Sequence, residues 1–389
     1  MTRAARVVIV GGAVMGSFSA WFLRREGFQG EITVIEPDPT YRRSSTALSA
    51  ASIRTQFGTP VNIHMSLFGA DFFRRIRETF EPAADIGFVE NGYLILGPPE
   101  AVAERQAGVA MQRAEGADVV ALTPDEVAAR FPFLSPEGVG IGTFGRTGEG
   151  WFDAWSLLSL VKAAAKDLGV RYLTARAEGF ERAGDRIAAV RLADGARLPC
   201  DWCVLAAGAA SGALMARLDE PLPVSPRKRT VFSFRAPVAP KGFPMLFDSS
   251  GIWVRPEGEG FIGGIQPPAD RDPDATGDFE PDHWLMEDPF WTSLAARIPA
   301  MEQLRLERAW AGHYEVNMLD HNGILGPHDR IGNLVLATGF SGHGVMHSPA
   351  AGRAVAEHIV HGRFTSLDVT PLGYPRIRAG VPLPETVVY

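Results

Sequence analysis

The feature that most constrains the fold is a strand, glycine turn, helix and strand pattern in the first 36 residues. Residues 6–10 read RVVIV, a β-branched run that is typical of a buried parallel strand. A glycine-rich turn follows at 11–16, then a helical pattern at 17–26. A second apolar strand at 31–35 ends at Glu36. This order predicts an α/β fold with a doubly wound parallel sheet.

The same unit carries the groups that a dinucleotide requires. A helix N-terminus offers free N–H groups and a positive dipole end to a pyrophosphate, and glycines allow a close approach. Glu36 is placed to accept hydrogen bonds from ribose hydroxyls, and its charge would repel the phosphate of NADP. The alternative is an α/β turn that binds no nucleotide. The residues predicted to contact the dinucleotide are Gly11, Gly12, Ala13, Val14, Met15, Gly16 and Glu36.

Ala13 departs from the dinucleotide fingerprint, which has a glycine at this middle position. A methyl group here would narrow the approach to the pyrophosphate. The additional glycine, Gly12, is a candidate for relieving that strain.

Two later segments also run from a strand into glycines. Residues 333–337 (NLVLA) predict a buried strand, followed by the loop TGFSGHGVMHSP at 338–349 and a helix from 350. In a flavoprotein, backbone N–H groups of Gly342, His343, Gly344 and Val345 would stabilise charge on the reduced flavin, as in an oxyanion hole. His343 itself is either a catalytic base or a loop residue that positions the backbone. In the second segment, residues 203–211 (CVLAAGAAS), the turn would pass close to a flat cofactor.

Composition narrows the functional classes. With 389 residues the chain predicts two domains, and its net charge of −7 disfavours a nucleic-acid partner. The basic run at 227–229 is interpreted as a solvated loop. Two cysteines, Cys200 and Cys203, exclude a disulfide framework, and a buried strand explains them better than a redox pair.

Targeting and metal-binding signals are not found in the sequence. It shows no signal peptide and no apolar run of the ~20 residues that a membrane span needs, which predicts a soluble, cytoplasmic protein. His343 and His347 lie four residues apart without a third ligand, so no metal site is predicted.

The motifs together resemble the D-amino-acid oxidase superfamily, in the sarcosine oxidase, dimethylglycine dehydrogenase and glycine oxidase branch. The resemblance covers nearly the whole chain. It rests on VVIVGGAVMGSFSAWFL, SSTALSAASIRTQFG (44–58), GYLILG (92–97), VLAAGAAS and LVLATGFSGHGVMHSPAAGRAVAEHI, in the family's order. The block at 44–58 is also similar to mitochondrial FAD-dependent oxidoreductase domain-containing proteins.

The resemblance implies FAD as the cofactor and a division into two domains. The FAD-binding domain would be discontinuous, comprising residues 1–84, 145–220 and 312–389. A substrate domain with a mixed or antiparallel sheet would comprise residues 85–144 and 221–311. Further FAD contacts implied by the resemblance are Ser45, Thr46, Ala177, Ala207, Gly208 and Met346.

Site residues carry over only in part. Arg54 matches the arginine that holds a substrate carboxylate, and Tyr314 would either line the substrate pocket or pack in the core. Met346 stands where related oxidases have a second carboxylate-binding group, a lysine. Ile262 or a neighbour replaces the lysine that activates oxygen. Gly312 stands at the position of a flavin-attaching cysteine, so FAD is expected to bind non-covalently.

The function predicted from these residues is oxidation of a small secondary or tertiary amine or amino acid, such as an N-alkyl amino acid. A hydride would pass to flavin N5, and the imine product would hydrolyse. Oxygen or an unidentified acceptor would take the electrons. The alternatives are a flavoenzyme that oxidises a 2-hydroxy acid or polyol, and a non-catalytic FAD-binding assembly protein.

Overall fold

The computed structural model describes residues 5–239 and 241–385. Its β-strands are β1 Arg6–Val10, β2 Glu31–Glu36, β3 Ser52–Ile53, β4 Tyr93–Gly97, β5 Val119–Leu122, β6 Ile141–Gly145, β7 Gly150–Trp151, β8 Arg171–Thr174, β9 Ala177–Ala183, β10 Arg186–Leu192, β11 Arg197–Pro199, β12 Trp202–Leu205, β13 Val224–Arg235, β14 Met245–Phe247, β15 Ile252–Glu257, β16 Gly260–Ile265, β17 Arg305–Asn317, β18 Ile324–Pro327 and β19 Leu334–Thr338.

The α-helices are α1 Val14–Arg25, α2 Pro60–Arg74, α3 Ile76–Thr79, α4 Val102–Ala114, α5 Pro124–Arg130, α6 Ala154–Asp167, α7 Ser211–Ala216, α8 Trp291–Arg297, α9 Gly344–His361 and α10 Tyr374–Ala379. Short 3₁₀ turns lie at Pro99–Ala101, Gly208–Ala210, Ala269–Arg271, Pro299–Gln303 and Thr370–Leu372, and a π-type turn lies at Met286–Phe290.

A six-stranded sheet has the order β18-β19-β12-β1-β2-β8. Its strands are parallel except for β18, which runs antiparallel to β19. Alternate residues of β1 face opposite cores, as strand geometry requires. Val7 and Ile9 pack with α1, α2, α6 and α9, whereas Val8 and Val10 pack with β9, β10 and α7. The predicted α/β fold is thereby confirmed.

An eight-stranded sheet has the order β17-β13-β16-β15-β14-β4-β6-β5. Its pairings are antiparallel except for β14 with β4, so it is a mixed sheet. Its core combines aliphatic residues with several phenylalanines, among them Phe232, Phe234 and Phe290. The long strand β17 runs across the domain boundary expected between residues 311 and 312, and the division into domains stays a prediction.

Two helices begin earlier than the sequence predicts. Helix α1 starts at Val14 rather than residue 17, because Ala13 is already extended (φ −70°, ψ −167°) and acts as the N-cap. Helix α9 starts at Gly344 rather than residue 350, with Pro349 inside it. The missing proline N–H would have bonded to the Val345 carbonyl, and the Ser348 hydroxyl donates to that oxygen instead at 2.8 Å.

The basic run at 227–229 is not a solvated loop. It lies within β13, and acidic residues of a neighbouring loop neutralise it. The Lys228 ammonium lies 2.7 Å from Asp278, and the Arg229 guanidinium binds both carboxylate oxygens of Asp272 at 2.8 and 2.9 Å. The interpretation was wrong because it took the charges as solvated, whereas ion pairing lets them lie within a strand.

The remaining expectations concern cysteines, membranes and metals. Cys200 and Cys203 are both free and buried, and Cys203 lies within β12. Across residues 5–239 and 241–385, no helix has the length and apolar character to cross a membrane. The same residues contain no group of three or more histidine, cysteine or acidic side chains placed to hold a metal ion.

Candidate active site

The glycine turn after β1 forms a cradle that side chains would fill. Gly11 has φ +106°, and a Cβ atom there would overlap the carbonyl oxygen of Ala206. A Cβ atom at Gly16 would overlap the carbonyl oxygen of Gly11. Close backbone approach therefore requires glycine at both positions. At Ala13 the extended backbone suits any residue, and its methyl packs against the hydrophobic core, so the departure at this position introduces no strain.

Glu36 lies beside this turn at the end of β2. The Gly12 N–H donates to its Oε2 at 2.9 Å, and the Asp38 N–H donates to its Oε1 at 3.0 Å. Burial raises the pKa of the Glu36 carboxyl, whereas these hydrogen bonds lower it. A partly buried acceptor at a glycine turn is chemically suited to ribose hydroxyls, and this role of Glu36 stays a prediction.

Tyr41 is a site residue that the sequence did not reveal. Its side chain is buried, and its hydroxyl has no hydrogen-bond partner in the described part of the chain. A Cβ atom at Gly12 would lie 3.1 Å from that hydroxyl, and the Lys162 ammonium lies 4.3 Å from the centre of the ring. An unsatisfied buried hydroxyl beside a glycine turn indicates room for a polar ligand.

Two further predicted contacts lie near the same end. Ala207 belongs to the turn after β12, and its Cα would be 3.0 Å from a Cβ atom at Gly11. The turn after β1 and the turn after β12, two of the glycine turns predicted from the sequence, are therefore adjacent. Ala177, at the start of β9, comes two residues after Ala175, whose N–H donates to the Glu36 carbonyl at 3.1 Å.

The loop at 44–52 packs against the eight-stranded sheet. The Ser45 hydroxyl donates to the His313 carbonyl of β17 at 2.6 Å. Arg255 of β15 donates to the Ala50 carbonyl from Nε at 3.0 Å and from Nη2 at 2.7 Å. Thr46 is buried. Together with Trp253, Gln266, Gly312 and Tyr314, this loop lines a pocket against the eight-stranded sheet.

The loop before α9 is held against β17. Gly342 has φ +100°, and a Cβ atom there would overlap the ring of Tyr314. The Ser341 N–H donates to the Glu315 carbonyl at 3.2 Å, and the Asn317 N–H donates to the Ser341 hydroxyl at 2.9 Å. This loop therefore presents backbone groups and a tyrosine face to one location.

The first turn of α9 contains Gly344, Val345 and Met346 and no acidic residue. The side chain of Met346 packs in the core beneath α2, where a Cβ atom at Gly69 would lie 2.6 Å from the Met346 carbonyl oxygen. Only the backbone of Met346 could therefore contact a cofactor. Its side chain packs in the core and carries no charge, unlike the lysine that the resemblance implies at this position.

Arg54 is buried, with only 4% of its surface exposed. Its Nη1 donates to the Gln56 carbonyl at 2.6 Å, and its guanidinium lies 4.1 Å from the centre of the Phe57 ring. Arg54 directly follows β3, which pairs with β7. The neighbouring residue Ile53 is also buried. A buried arginine retains its charge and has a planar fork that suits a carboxylate.

Glu149 supports the segment that carries Arg54, and the sequence analysis missed it. The carboxylate is fully buried and accepts from the Thr55 N–H at 2.7 Å, the Thr55 hydroxyl at 2.5 Å and Gln56 Nε2 at 2.8 Å. Burial raises its pKa, whereas these hydrogen bonds and the Arg54 charge lower it. Its partners lie about a hundred positions away, so no local pattern revealed it.

Two tyrosines adjoin Arg54. Burial raises the pKa of Tyr93 and of Tyr314, and the positive charge of Arg54 opposes that rise in both. Tyr93 stacks on Phe247 with ring centres 5.3 Å apart and planes 9° apart. Arg229 lies 5.5 Å from the centre of the Tyr314 ring. Tyr314 lines the pocket beside the loop at 44–52, and its role there stays a prediction, whereas Tyr93 packs in a core cluster with Phe247.

His343 is buried among rings rather than exposed to a substrate channel. Its ring centre lies 5.4 Å from Phe57, 6.2 Å from Phe340 and 5.0 Å from His347. Burial, and then the charges of His347 and Arg54, hold its pKa well below the usual value. A neutral, weakly basic imidazole suits the positioning role better than the catalytic one.

Comparison with known proteins agrees with this geometry. The sequence pattern of the DAO family, described as FAD dependent oxidoreductase, matches residues 6–358. FAD-dependent oxidoreductase domain-containing protein 1 of Xenopus laevis is 38% identical over 420 residues, covering 98% of this chain and 84% of that protein. Glycine oxidase of Geobacillus kaustophilus is 26% identical over 389 residues, covering 97% and 98%.

Solved structures lead to the same family. L-proline dehydrogenase from P. horikoshii superposes with a TM-score of 0.86 at 25% identity, covering 98% of this chain and 99% of that one. The predicted family, fold, FAD cofactor and oxidoreductase class are confirmed. The chain belongs to the DAO family of FAD-dependent oxidoreductases.

Proposed function

We propose that this oxidoreductase acts on a small amine that carries a carboxylate, of the N-alkyl amino-acid type. The observation that carries the proposal is the buried Arg54, whose segment a second buried network holds in place. A charged, planar guanidinium that is held in one position can bind a substrate carboxylate through two parallel hydrogen bonds.

FAD would lie between the glycine turns. The pyrophosphate would meet the N-terminus of α1, Glu36 and Tyr41 would bind the ribose, and the turns at Gly208 and 342–345 would meet the flavin end. Gly312 has no side chain that could form a bond to the cofactor, so the attachment is non-covalent. Neither His343 nor Met346 contributes a charged side chain.

The chain orients the substrate rather than attacking it. When bound, FAD supplies the acceptor for a hydride. Arg54 binds the carboxylate with its fork and so fixes the carbon next to the amine nitrogen. Its positive charge also disfavours a protonated amine, and only the neutral amine can release a hydride from that carbon. Tyr93, Tyr314 and Phe57 surround the site with rings that exclude water.

The products follow from the electron balance. The substrate loses a hydride and its amine becomes an iminium ion, which loses a proton if nitrogen carries one and then hydrolyses to an amine and a carbonyl compound. Ile262 is buried within β16, so the oxygen-activating lysine of related oxidases has no counterpart at this position. This favours an electron acceptor other than oxygen.

A second candidate function is oxidation of a 2-hydroxy acid whose carboxylate Arg54 would also bind. A 2-hydroxy acid offers Arg54 the same carboxylate and can also release a hydride, so the geometry of Arg54 serves either substrate. The two differ at the products, because only oxidation of an amine releases an amine or ammonia.

The test is anaerobic reduction of the purified yellow protein. Matched N-methyl amino acids and 2-hydroxy acids of equal chain length are added, bleaching of the flavin band is followed, and the products are analysed. We expect bleaching by the N-methyl compounds with release of the demethylated amino acid and formaldehyde, or of methylamine and an oxo acid. Bleaching by the hydroxy acids alone would select the second candidate. Bound FAD that no compound bleaches would support the assembly protein.

A further inference from the structure

Glu315 lies next to the proposed substrate site but faces away from it. It follows Tyr314 on β17, and successive side chains of a strand point to opposite faces. Its Oε2 accepts from the Thr338 hydroxyl at 2.9 Å, and the N–H groups of Gly339 and Phe340 also donate to the carboxylate. The side chain therefore binds the point where β19 ends and the loop toward α9 begins.

Three turns meet at this carboxylate. A Cβ atom at Gly208 would lie 3.9 Å from Oε2, and a Cβ atom at Gly344 would lie 3.4 Å from Oε1. The Thr338 hydroxyl also lies 2.8 Å from the hydroxyl of Ser211, the first residue of α7. Glu315 thus connects the turn after β12, the turn after β19 and the start of α9, which are the turns expected at the flavin end of FAD.

The charge of Glu315 is not balanced by a basic side chain. Across the described residues it forms no ion pair with lysine, arginine or histidine, and its partners are a hydroxyl and backbone N–H groups. Three donors suit an ionised carboxylate, which only accepts. Burial nevertheless raises the pKa of Glu315, because a charge is costly in this environment.

We propose that Glu315 is a cofactor-positioning residue that also sets the electron affinity of the bound FAD. Its carboxylate joins the turns at 208–211 and 338–344 around the flavin end. With FAD bound between these turns, its negative charge would lie near the flavin and would disfavour the electron-rich reduced form. The inference rests on the proposed placement of FAD and does not depend on the substrate.

The test compares three variants by FAD dissociation constant and by midpoint potential. FAD affinity is measured by fluorescence titration of the apoprotein, and potential by dithionite reduction against a reference dye. Glu315→Gln removes the charge at nearly constant shape. We expect its affinity for reduced FAD relative to oxidised FAD to rise about tenfold, which makes the potential more positive. Glu315→Asp keeps the charge but shortens the reach. It is expected to weaken FAD binding about tenfold with a smaller change in potential.

The control is Glu220→Gln, at a buried carboxyl that accepts from the Tyr374 hydroxyl at 3.3 Å. It should leave both the potential and the FAD affinity unchanged. An unaltered potential in folded, FAD-bound Glu315→Gln would overturn the electrostatic role. If that variant does not fold, Glu315→Asp decides the positioning role, and wild-type FAD affinity in it would overturn the proposal.

Discussion

The two ends of the proposed FAD site consist of different kinds of chemical group. At the end near α1, the candidate groups are backbone N–H groups, glycines, Glu36 and Tyr41, all within residues 6–41. At the flavin end they are side chains of distant segments, including the buried Arg54, Glu149 and His343 and the half-buried Tyr314. At the first end, FAD binding would depend on glycines that let the backbone approach the cofactor closely. At the second end, it would depend on charged side chains such as Arg54 and Glu149, which are buried. Substitutions at the two ends should therefore fail in different ways.

The largest effect is expected from Gly11→Val at the first end. The new side chain would overlap the Ala206 carbonyl and would have to adopt φ +106°. We expect loss of bound FAD and a decrease of about 3 kcal/mol or more in the free energy of unfolding. Absorbance of the purified protein and urea unfolding measure both.

Gly27→Ala is the matched control for that variant. Gly27 also has a positive φ, +88°, but a Cβ atom there meets nothing within 4 Å. The expected cost is about 1 kcal/mol with full FAD content. A Gly11→Val protein that retains stoichiometric FAD would contradict the backbone cradle.

The flavin end should make stability depend on pH. Burial lowers the pKa of His347 to about 3, and that of His343 falls well below its usual value. Below pH ~6.5 the unfolded chain binds protons that the folded chain does not, so stability falls as pH falls. Each histidine contributes a slope of about 1.4 kcal/mol per pH unit.

His347→Gln tests this pH dependence, because an amide can keep the bond to the Ser66 hydroxyl without titrating. Urea unfolding between pH 7 and 5 should show an average slope smaller by about 1 kcal/mol per pH unit, because the unfolded histidine is only partly protonated near pH 7. An identical slope in the variant would show that His347 takes up its proton in the folded state.

A smaller effect is expected at Glu149, which acts on substrate only through the Arg54 segment. Glu149→Gln weakens the hydrogen bonds from Thr55, so Arg54 is held less firmly. We expect KM for a carboxylated substrate to rise about fivefold with little change in kcat. Glu90→Gln is the control, because Glu90 accepts from the Gly148 N–H at 2.7 Å on the outer side of the same turn. Equal KM values in both variants would remove Glu149 from this role.

The same contrast explains what the sequence could predict. Strand β1 and the acid at the end of β2 follow from local patterns, because glycine spacing and strand periodicity are properties of consecutive residues. The start of α1 is wrong by three residues and that of α9 by six. In α9 a hydroxyl compensates for Pro349, which sequence rules place outside a helix.

Site residues that depend on tertiary partners were not predictable. Glu149 precedes the short strand β7 and Glu315 lies on the long strand β17, and the hydrogen-bond partners of both come from other elements. Tyr41 stands in a turn with positive φ, where nothing in the neighbouring residues indicates that its hydroxyl meets Gly12. Arg54 and Tyr314 were identified only through the family resemblance. The structure adds that Arg54 is buried and that Tyr314 lies near it.

The most direct test of the central claim, that Arg54 anchors a substrate carboxylate, pairs an N-methyl amino acid with the amine that lacks its carboxylate. Apparent dissociation constants for anaerobic flavin reduction are measured in wild type and in Arg54→Leu, with FAD content as the check on folding. We predict that wild type prefers the carboxylated compound by about 100-fold and that Arg54→Leu abolishes the preference. A preference that survives in a folded, FAD-loaded Arg54→Leu protein would contradict the account.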